Sequence, residues 1–179
     1  MTNDVVLVDA HDRQIGICDK RAAHLDEGKR HRAFSVHLID NGGRHLLQCR
    51  AAGKMLWPGY WSNACCSHPA PGETILAAAS RRLQEELGIS ASCRFIYSFE
   101  YHARFGSIGA EHELCHVLVA RSDAVVTPSA LEIRSIRWLT RDQISAQLSK
   151  SEAQFTPWFR MEWHCLLSEY PSFDMVMAG

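Results

Sequence analysis

The chain has 179 residues, of which 46% are hydrophobic and 22% charged, as expected for one globular domain with a sizeable core. Its 19 basic and 20 acidic residues give a net charge of −1, so electrostatics provide no reason to expect nucleic acid or a membrane as a partner. No apolar run approaches the roughly 20 residues of a spanning helix, and no secretory signal is expected. The seven cysteines lack repeated C-x-x-C spacing, which favours a reduced, cytoplasmic compartment.

Short strands and turns are predicted for the first third of the chain. The predicted strands are Val5–Val8, Ile15–Cys18, Ala33–Ile39 and His45–Arg50. The second strand is expected to pair back on the first, and Asn41-Gly42 predicts a hairpin between the last two. The polar stretch 20–32 contains Gly28 after two acidic residues and is expected to form a loop. A second loop is expected over 51–61.

A helix is predicted over Glu73–Leu87, introduced by Pro71-Gly72 and ended by Gly88 as its C-cap. One apolar stripe with helical spacing is predicted from Leu76, Ala79, Leu83 and Leu87. Arg82 and Glu86 flank this stripe four residues apart, so Glu86 is expected to face a partly buried site.

The second half predicts further strands and two helices. The strands are Cys93–Phe99, Glu113–Ala120 and Ile133–Leu139. Thr140 and Gln143 predict a capping box opening a helix to about Leu148, and Thr156-Pro157 predicts a cap and first-turn proline for a helix to about Leu167. With no repeat or linker, we predict one α/β domain in which helices flank a mixed β-sheet.

Glu111 and Glu113 are two residues apart at a strand start, so both carboxylates are expected on one face and His112 on the other. Two like charges side by side repel, and a shared cation or a raised pKa on one of them resolves the repulsion. The alternative is a solvated strand end with two incidental acids.

Three histidines, His24, His31 and His68, complete a possible five-ligand set with these glutamates. Three imidazoles and two carboxylates suit Zn²⁺, Mn²⁺, Mg²⁺ or Fe²⁺ better than a metal that prefers thiolates. On a continuous helix His24 and His31 would stand about 10.5 Å apart along the axis, so sharing one ion requires a loop. Taken singly, each of the ten histidines is more often a surface or core residue than a ligand.

The doublet Cys65-Cys66 is a candidate for nucleophilic or acid–base chemistry. Adjacent cysteines rarely form a disulfide, because the bond strains the peptide between them. We weigh one reactive thiol, Cys66, with a packed neighbour against two buried structural cysteines. Lys20, Arg50 and Lys54 are candidates for binding an anionic group, although each is also an ordinary surface base.

The segment Ser67–Ile89 resembles the Nudix signature G-x5-E-x7-R-E-U-x-E-E-x-G-U, in which U is aliphatic. The matching positions are Glu73, Arg81, Leu83, Glu85, Glu86, Gly88 and Ile89. Ser67 stands in place of the first Gly, and Arg82 in place of the Glu that follows Arg. In the hydrolases of the superfamily that Glu binds metal, so a basic Arg82 argues against a Nudix hydrolase.

A wider set of segments resembles the type I isopentenyl-diphosphate isomerase branch of the superfamily. They are RAAHLDEGKRHRAFS, WPGYWSNACCSHP, GAEHEL and FTPW. The resemblance implies a single Nudix-like isomerase domain over 1–179, with its core from about 20 to 168. It implies that isopentenyl and dimethylallyl diphosphate are interconverted in isoprenoid biosynthesis, and that one divalent metal, Mn²⁺, Mg²⁺ or Zn²⁺, is bound by His24, His31, His68, Glu111 and Glu113.

The same resemblance implies the remaining site residues. Cys66 and Glu113 are the acid–base pair, Tyr101 is a hydrogen-bonding partner of Glu113, and Trp158 presents its π face to the cation. Lys20, Arg50 and Lys54 bind the diphosphate, and Glu86 binds a second Mg²⁺ carried with it. A Nudix hydrolase of a nucleoside or prenyl diphosphate is the alternative, and a non-catalytic metal-binding module is the third possibility. The oligomeric state, monomer or dimer, is left open.

Overall fold

The computed structural model describes residues 3–173, which fold into a mixed β-sheet with helices packed against it. The strands are β1 Asp4–Val8, β2 Gln14–Asp19, β3 His31–Ile39, β4 His45–Arg50, β5 Trp61–Ser62, β6 Cys65–Ser67, β7 Cys93–Phe105, β8 Gly109–Arg121 and β9 Ile133–Leu139. The helices are α1 Lys20–Ala23, α2 Ile75–Leu87, α3 Arg141–Ser151 and α4 Pro157–Glu169, with a 3₁₀ turn at Glu152–Gln154. The predicted fold class is confirmed. Among the described residues, no helix is long and apolar enough to cross a membrane.

Strand β3 organises the sheet. It runs parallel to β8 from the pair His31–Glu113 to the pair Ile39–Arg121, and antiparallel to β1, β4 and β6. Every residue of β3 except Arg32 is buried, as expected for a strand covered on both faces. Strands β7 and β8 form a long antiparallel pair beyond it.

Side chains that alternate along β3 divide the core into two clusters. Phe34, Val36 and Leu38 lie in a cluster with Leu83 and Leu87 of α2. On the other face, Ile39 lies in a cluster with three residues of α4, which are Phe159, Trp163 and Leu166. The sheet therefore lies between α2 and α4.

The predicted hairpin after β3 is confirmed, but its strands diverge at once. The two strands pair at Ile39–His45. Beyond that pair β3 continues beside β6 and β8, whereas β4 pairs with β5 and β9. The short strand β5 begins at the end of the second predicted loop, and β6 follows it closely. They are two and three residues long, which is too short to give a clear strand pattern in the sequence.

Helix α2 ends where predicted but begins two residues late. Thr74 is its N-cap and accepts from the Ala77 N–H, and Gly88 adopts the left-handed conformation at φ 69° as its C-cap. Glu73 is not helical. Its carboxylate accepts two hydrogen bonds from the Arg81 guanidinium, each 2.8 Å, and so fastens the preceding loop to the helix.

Three local predictions are wrong. Leu76 is 49% exposed, because the buried residues of α2 begin at Ala78. Residues 20–23 form a helical turn rather than a loop, because the Asp19 side chain caps it. Thr156 occupies the N-cap position of α4 without capping it; its hydroxyl lies 3.0 Å from the Ser62 hydroxyl instead.

The remaining helix signals are confirmed. Thr140 and Gln143 form the predicted capping box, and Pro157 opens α4. Helix α3 ends three residues after its predicted end at Leu148, and α4 ends two residues after its predicted end at Leu167. Neither predicted end carries a helix-stop signal in the sequence.

Candidate active site

One row of residues crosses three strands and forms the base of the site. His31 of β3 is directly opposite Glu113 of β8, and Glu113 is directly opposite Tyr101 of β7. The Tyr101 hydroxyl donates to Glu113 Oε2 at 2.6 Å. Glu111 is buried two residues before Glu113 on the same face, while His112 faces away and lies 3.0 Å from Glu100.

A close approach of two backbone segments brings His24 to this row. The Ala110 N–H donates to the His24 carbonyl at 3.0 Å, and a side chain at Gly109 would collide with that same oxygen. Glycine at 109 is therefore required here. As a result, His24 Nε2 lies 2.8 Å from Glu111 Oε2.

His68, immediately after β6, completes the cluster. Its Nε2 lies 3.1 Å from His31 Nε2 and 2.9 Å from Glu113 Oε1. One ligand atom from each of the five predicted residues lies within 4.8 Å of all the others. Ligands at about 2.1 Å from one ion and at right angles to each other would be about 3 Å apart, which is close to the shortest distances in the cluster, 2.8 to 3.1 Å.

The ring tautomers also fit a metal ion. His24 Nδ1 lies 2.6 Å from the Lys20 carbonyl and His31 Nδ1 2.7 Å from the Lys29 carbonyl. Because a carbonyl only accepts, each Nδ1 carries a proton, and each ring directs its Nε2 toward the cluster. The group in the described residues is thus able to hold a divalent metal.

Burial and the cluster's own charges shift the pKa values of its members in different directions. Burial works to raise the pKa of Glu113, but hydrogen bonds from His31 and Tyr101 outweigh it, and that pKa is lowered. Burial lowers the pKa of His68 well below its usual range. Burial raises the pKa of Tyr101, with a further increase from Glu113. Glu113 is therefore a carboxylate and Tyr101 a neutral donor to it.

A cavity of about 330 Å³ opens beside this cluster. Its lining includes the predicted residues Lys20, Arg50, Lys54, Cys66, His68, Tyr101, Glu111, Glu113 and Trp158. Arg50 donates to the Leu56 carbonyl at 2.9 Å and to the Trp57 carbonyl at 3.1 Å, which holds its guanidinium in place. The cavity wall therefore combines basic side chains with a thiol, carboxylates and an indole.

The two adjacent cysteines face opposite sides of the sheet. Cys65 lies in the α2 cluster, whereas Cys66 packs against the α4 cluster and lines the cavity. Burial, followed by the Glu162 carboxylate, raises the pKa of Cys66 far above its usual range. Both are thiols, as are the other five cysteines. Strand alternation thus decides which member of the doublet can meet a ligand.

Trp158, in the first turn of α4, is 3% exposed and lines the cavity. Trp57 packs edge-on against it with ring centroids 5.3 Å apart, and the Arg50 guanidinium lies 5.3 Å from its centroid. The indole is held on two sides and presents a fixed aromatic surface to the cavity.

Glu86 differs from the other predicted site residues in its surroundings. It is 1% exposed, does not line the cavity, and is ion-paired with Arg82 at 2.6 Å. Arg82 also reaches Glu132 at 2.9 Å, and Glu132 pairs in turn with Lys54. Glu132 was missed by the sequence analysis, because no motif marks a lone glutamate whose partners are 50 and 78 residues away.

Comparisons with known proteins place this chain in a family. The NUDIX domain model matches residues 29–159. Isopentenyl-diphosphate Delta-isomerase of Nocardia farcinica is 46% identical over 155 residues, covering 86% of this chain and 89% of its own. Isopentenyl-diphosphate Delta-isomerase 1 of Photorhabdus laumondii is 40% identical over 169 residues, covering 93% and 96% respectively.

Solved structures agree on the fold. The crystal structure of DR0079 from Deinococcus radiodurans superposes with a TM-score of 0.72 at 23% identity, covering 90% of this chain and 98% of that one. A MutT NUDIX hydrolase from Burkholderia pseudomallei superposes with a TM-score of 0.60 at 17% identity, covering 76% and 97%. At these identities the likeness extends to the fold alone. From the family model and the close relatives, the chain belongs to the NUDIX family and, within it, to the isopentenyl-diphosphate Delta-isomerases.

Proposed function

We propose that this chain is an enzyme that interconverts isopentenyl diphosphate and dimethylallyl diphosphate by adding one proton and removing another. The observation that carries the proposal is a single cavity lined by a neutral thiol, Cys66, and by a buried carboxylate, Glu113, that belongs to a five-residue cluster able to hold a metal ion. The relatives that bear the isomerase name match most of the chain at 39–46% identity.

The diphosphate end of the substrate is assigned to Lys20, Arg50 and Lys54. All three line the cavity, and their cationic groups suit an oxyanion. With the diphosphate held by these three cations, the short hydrocarbon part of the substrate would occupy the rest of the cavity, which the Cys66 thiol, the Glu113 carboxylate and the Trp158 indole also line.

The proton transfers are assigned to Cys66 and Glu113. Moving the double bond requires a proton at the terminal alkene carbon, which leaves a tertiary cation, and loss of a proton from C2, the carbon between that cation and the CH2 group that carries the diphosphate. The protonated thiol is able to donate, and the carboxylate is able to accept. The Tyr101 hydroxyl holds this carboxylate in place by donating a 2.6 Å hydrogen bond to Glu113 Oε2.

Trp158 is assigned to the cation. Its ring borders the cavity and is buried, and a desolvated indole face stabilises a cation by up to about 2 kcal/mol. Since an alkene is a weak base, stabilising this cation lowers the barrier to protonation.

The metal cluster is assigned one divalent ion, Mn²⁺, Mg²⁺ or Zn²⁺, held by the three imidazoles and two glutamates. When bound, such an ion would orient and polarise Glu113. A second Mg²⁺ is assigned to the substrate diphosphate with Glu86 as its protein ligand. Glu86 is ion-paired with Arg82, so this role requires the Arg82 guanidinium to turn away.

The direct test is to incubate metal-loaded protein with isopentenyl diphosphate and Mg²⁺ and to measure the acid-labile allylic diphosphate formed. Conversion to dimethylallyl diphosphate without release of phosphate is expected. Phosphate release without the allylic product would instead identify a hydrolase. If neither product forms, the remaining interpretation is a non-catalytic metal-binding module.

A further inference from the structure

A buried polar network lies behind the cavity wall and reaches the Cys66 thiol. It consists of Asn63, on the turn between β5 and β6, His37 on β3 and Glu162 on α4. Asn63 and Glu162 are fully buried and His37 is 2% exposed. None of the three lines the cavity. Burying an ionisable pair costs free energy that apolar side chains of similar size would not require, so the network calls for an explanation.

The Asn63 amide connects the ionisable pair to the thiol. Its Oδ1 accepts from Cys66 Sγ at 3.2 Å and from Ser62 Oγ at 3.2 Å. Its Nδ2 donates to Glu162 Oε2. The same Glu162 oxygen lies 2.9 Å from His37 Nε2. Asn63 Nδ2 also lies 2.9 Å from His37 Nε2. Both ends of the amide are therefore engaged, by groups from four different elements.

The orientation of this amide matters because its two ends have opposite character and nearly equal shape. With Oδ1 toward the thiol, the S–H has an acceptor at 3.2 Å, which is nearer than the Ser62 hydroxyl at 3.7 Å and sets the preferred direction. With Nδ2 toward the thiol, the sulfur would face a donor, and the S–H would have to turn elsewhere. Glu162 Oε2 accepts a hydrogen bond from Asn63 Nδ2, so Glu162 holds the donor end of the amide on its own side.

We propose that Asn63 is a positioning residue for the Cys66 thiol, and that Glu162, held by His37, fixes the direction of the Asn63 amide. The S–H of Cys66 is thereby held in one rotamer beside the cavity. The inference rests on the proposed function for its effect on turnover, but the hydrogen bond itself is independent of any activity.

Infrared spectroscopy tests the hydrogen bond without substrate. The difference between the wild-type spectrum and that of Cys66→Ala isolates one S–H stretching band from those of the other six cysteines. A band below that of a simple thiol in an apolar solvent is expected, and Glu162→Gln should shift it upward. A wild-type band at the apolar-solvent position would overturn the proposal, whether or not the protein is an isomerase.

Kinetics test the consequence. In Glu162→Gln the side chain offers one acceptor and one donor, so His37 and Asn63 compete for the acceptor and the Asn63 amide is free to turn. The kcat for isopentenyl diphosphate should fall about 10- to 100-fold, the cost of a misplaced reacting group. KM should change less than about twofold, because the cavity cations are untouched.

A reciprocal exchange separates positioning from general damage to the core. Asn63→Asp alone sets two carboxylates against each other and should also lower kcat. In the double variant Asn63→Asp with Glu162→Gln, the new carboxylate at position 63 accepts from the Cys66 thiol, and the new amide at position 162 donates to that carboxylate. Both hydrogen bonds are thereby restored, and kcat should be higher than in either single variant. A double variant that is no better than the single ones contradicts the proposal.

Cys115→Ala is the matched control. Cys115 is 2% exposed and its sulfur lies 3.9 Å from the other Glu162 oxygen, Oε1. The substitution therefore perturbs the same carboxylate without touching Asn63. It should leave kcat within about threefold of wild type. A loss equal to that of Glu162→Gln would assign the effect to core packing and overturn the positioning role.

Discussion

Arg82 and Glu86 lie one turn apart on α2 and form a buried ion pair. The Arg82 guanidinium donates two hydrogen bonds to Glu86 Oε1, from Nη2 at 2.6 Å and from Nε at 3.1 Å. The Glu86 side chain is 2% exposed. The arginine that departs from the Nudix signature therefore neutralises a carboxylate that the signature retains.

Removing Arg82 should destabilise the fold. Arg82→Met leaves a buried carboxylate without its counter-ion, and the free energy of unfolding should fall by about 3 kcal/mol. Urea denaturation at neutral pH measures it. The control is Arg81→Met on the same helix, which breaks the half-exposed pair with Glu73 and should cost about 1 kcal/mol. Equal losses in the two variants would show that burial of Glu86 does not set the cost.

Metal removal should lower stability through the five-residue cluster. Metal-free protein titrated with Mn²⁺ or Zn²⁺ should unfold at rising temperature, and free metal at one hundred times its dissociation constant should add about 2.7 kcal/mol. Glu111→Gln should weaken this response. His112→Gln, on the other face of β8, should keep it. Loss of the response in both variants would argue for general disruption of the strand.

The cysteine doublet should respond unequally to substitution. Cys66→Ala removes the thiol that lines the cavity, and kcat should fall by about 10³-fold, within the usual range for a lost acid or base. Cys65→Ala removes a buried thiol on the α2 face and should lower stability while leaving kcat within about threefold. Steady-state kinetics with isopentenyl diphosphate measures both. Full turnover in Cys66→Ala would refute the assignment.

The ion pairs of Glu132 should make the free energy of unfolding depend on pH in the acid range. Burial works to raise the pKa of this carboxyl, but its bonds to Lys54 and Arg82 lower it from 4.5 to about 2. A depressed folded-state pKa stabilises the protein above the unfolded value and loses this effect as pH falls from about 4.5 toward about 2. With a side chain 25% exposed, the contribution at neutral pH is on the order of 2 kcal/mol.

The measurement is the unfolding free energy of metal-free wild type and Glu132→Gln between pH 3 and pH 7. The difference between the two proteins should be constant above about pH 5 and shrink below about pH 4.5. A difference that does not change with pH would mean that Glu132 acts through packing.

Local signals predicted most of the elements. The Asn41-Gly42 turn, the Gly88 cap, the capping box at Thr140 and the first-turn Pro157 act over a few residues, so they are readable without the fold. The prediction for Lys20–Ala23 was wrong because one side chain, Asp19, caps a turn too short to leave a periodic pattern. Thr156 was misassigned because its hydroxyl bonds Ser62, 94 residues away.

By itself, the sequence determined which residue types are available and, through its Nudix-like and isomerase-like segments, which of them to consider together. Spacing along the chain left open whether His24, His31, His68, Glu111 and Glu113 meet. Tertiary structure decided that, because the parallel register of β3 and β8 sets His31 opposite Glu113, and the contact at Gly109 brings in His24. It alone also joined Arg82 to Glu132 and Asn63 to Glu162, since such contacts depend on how separate elements pack rather than on any local pattern.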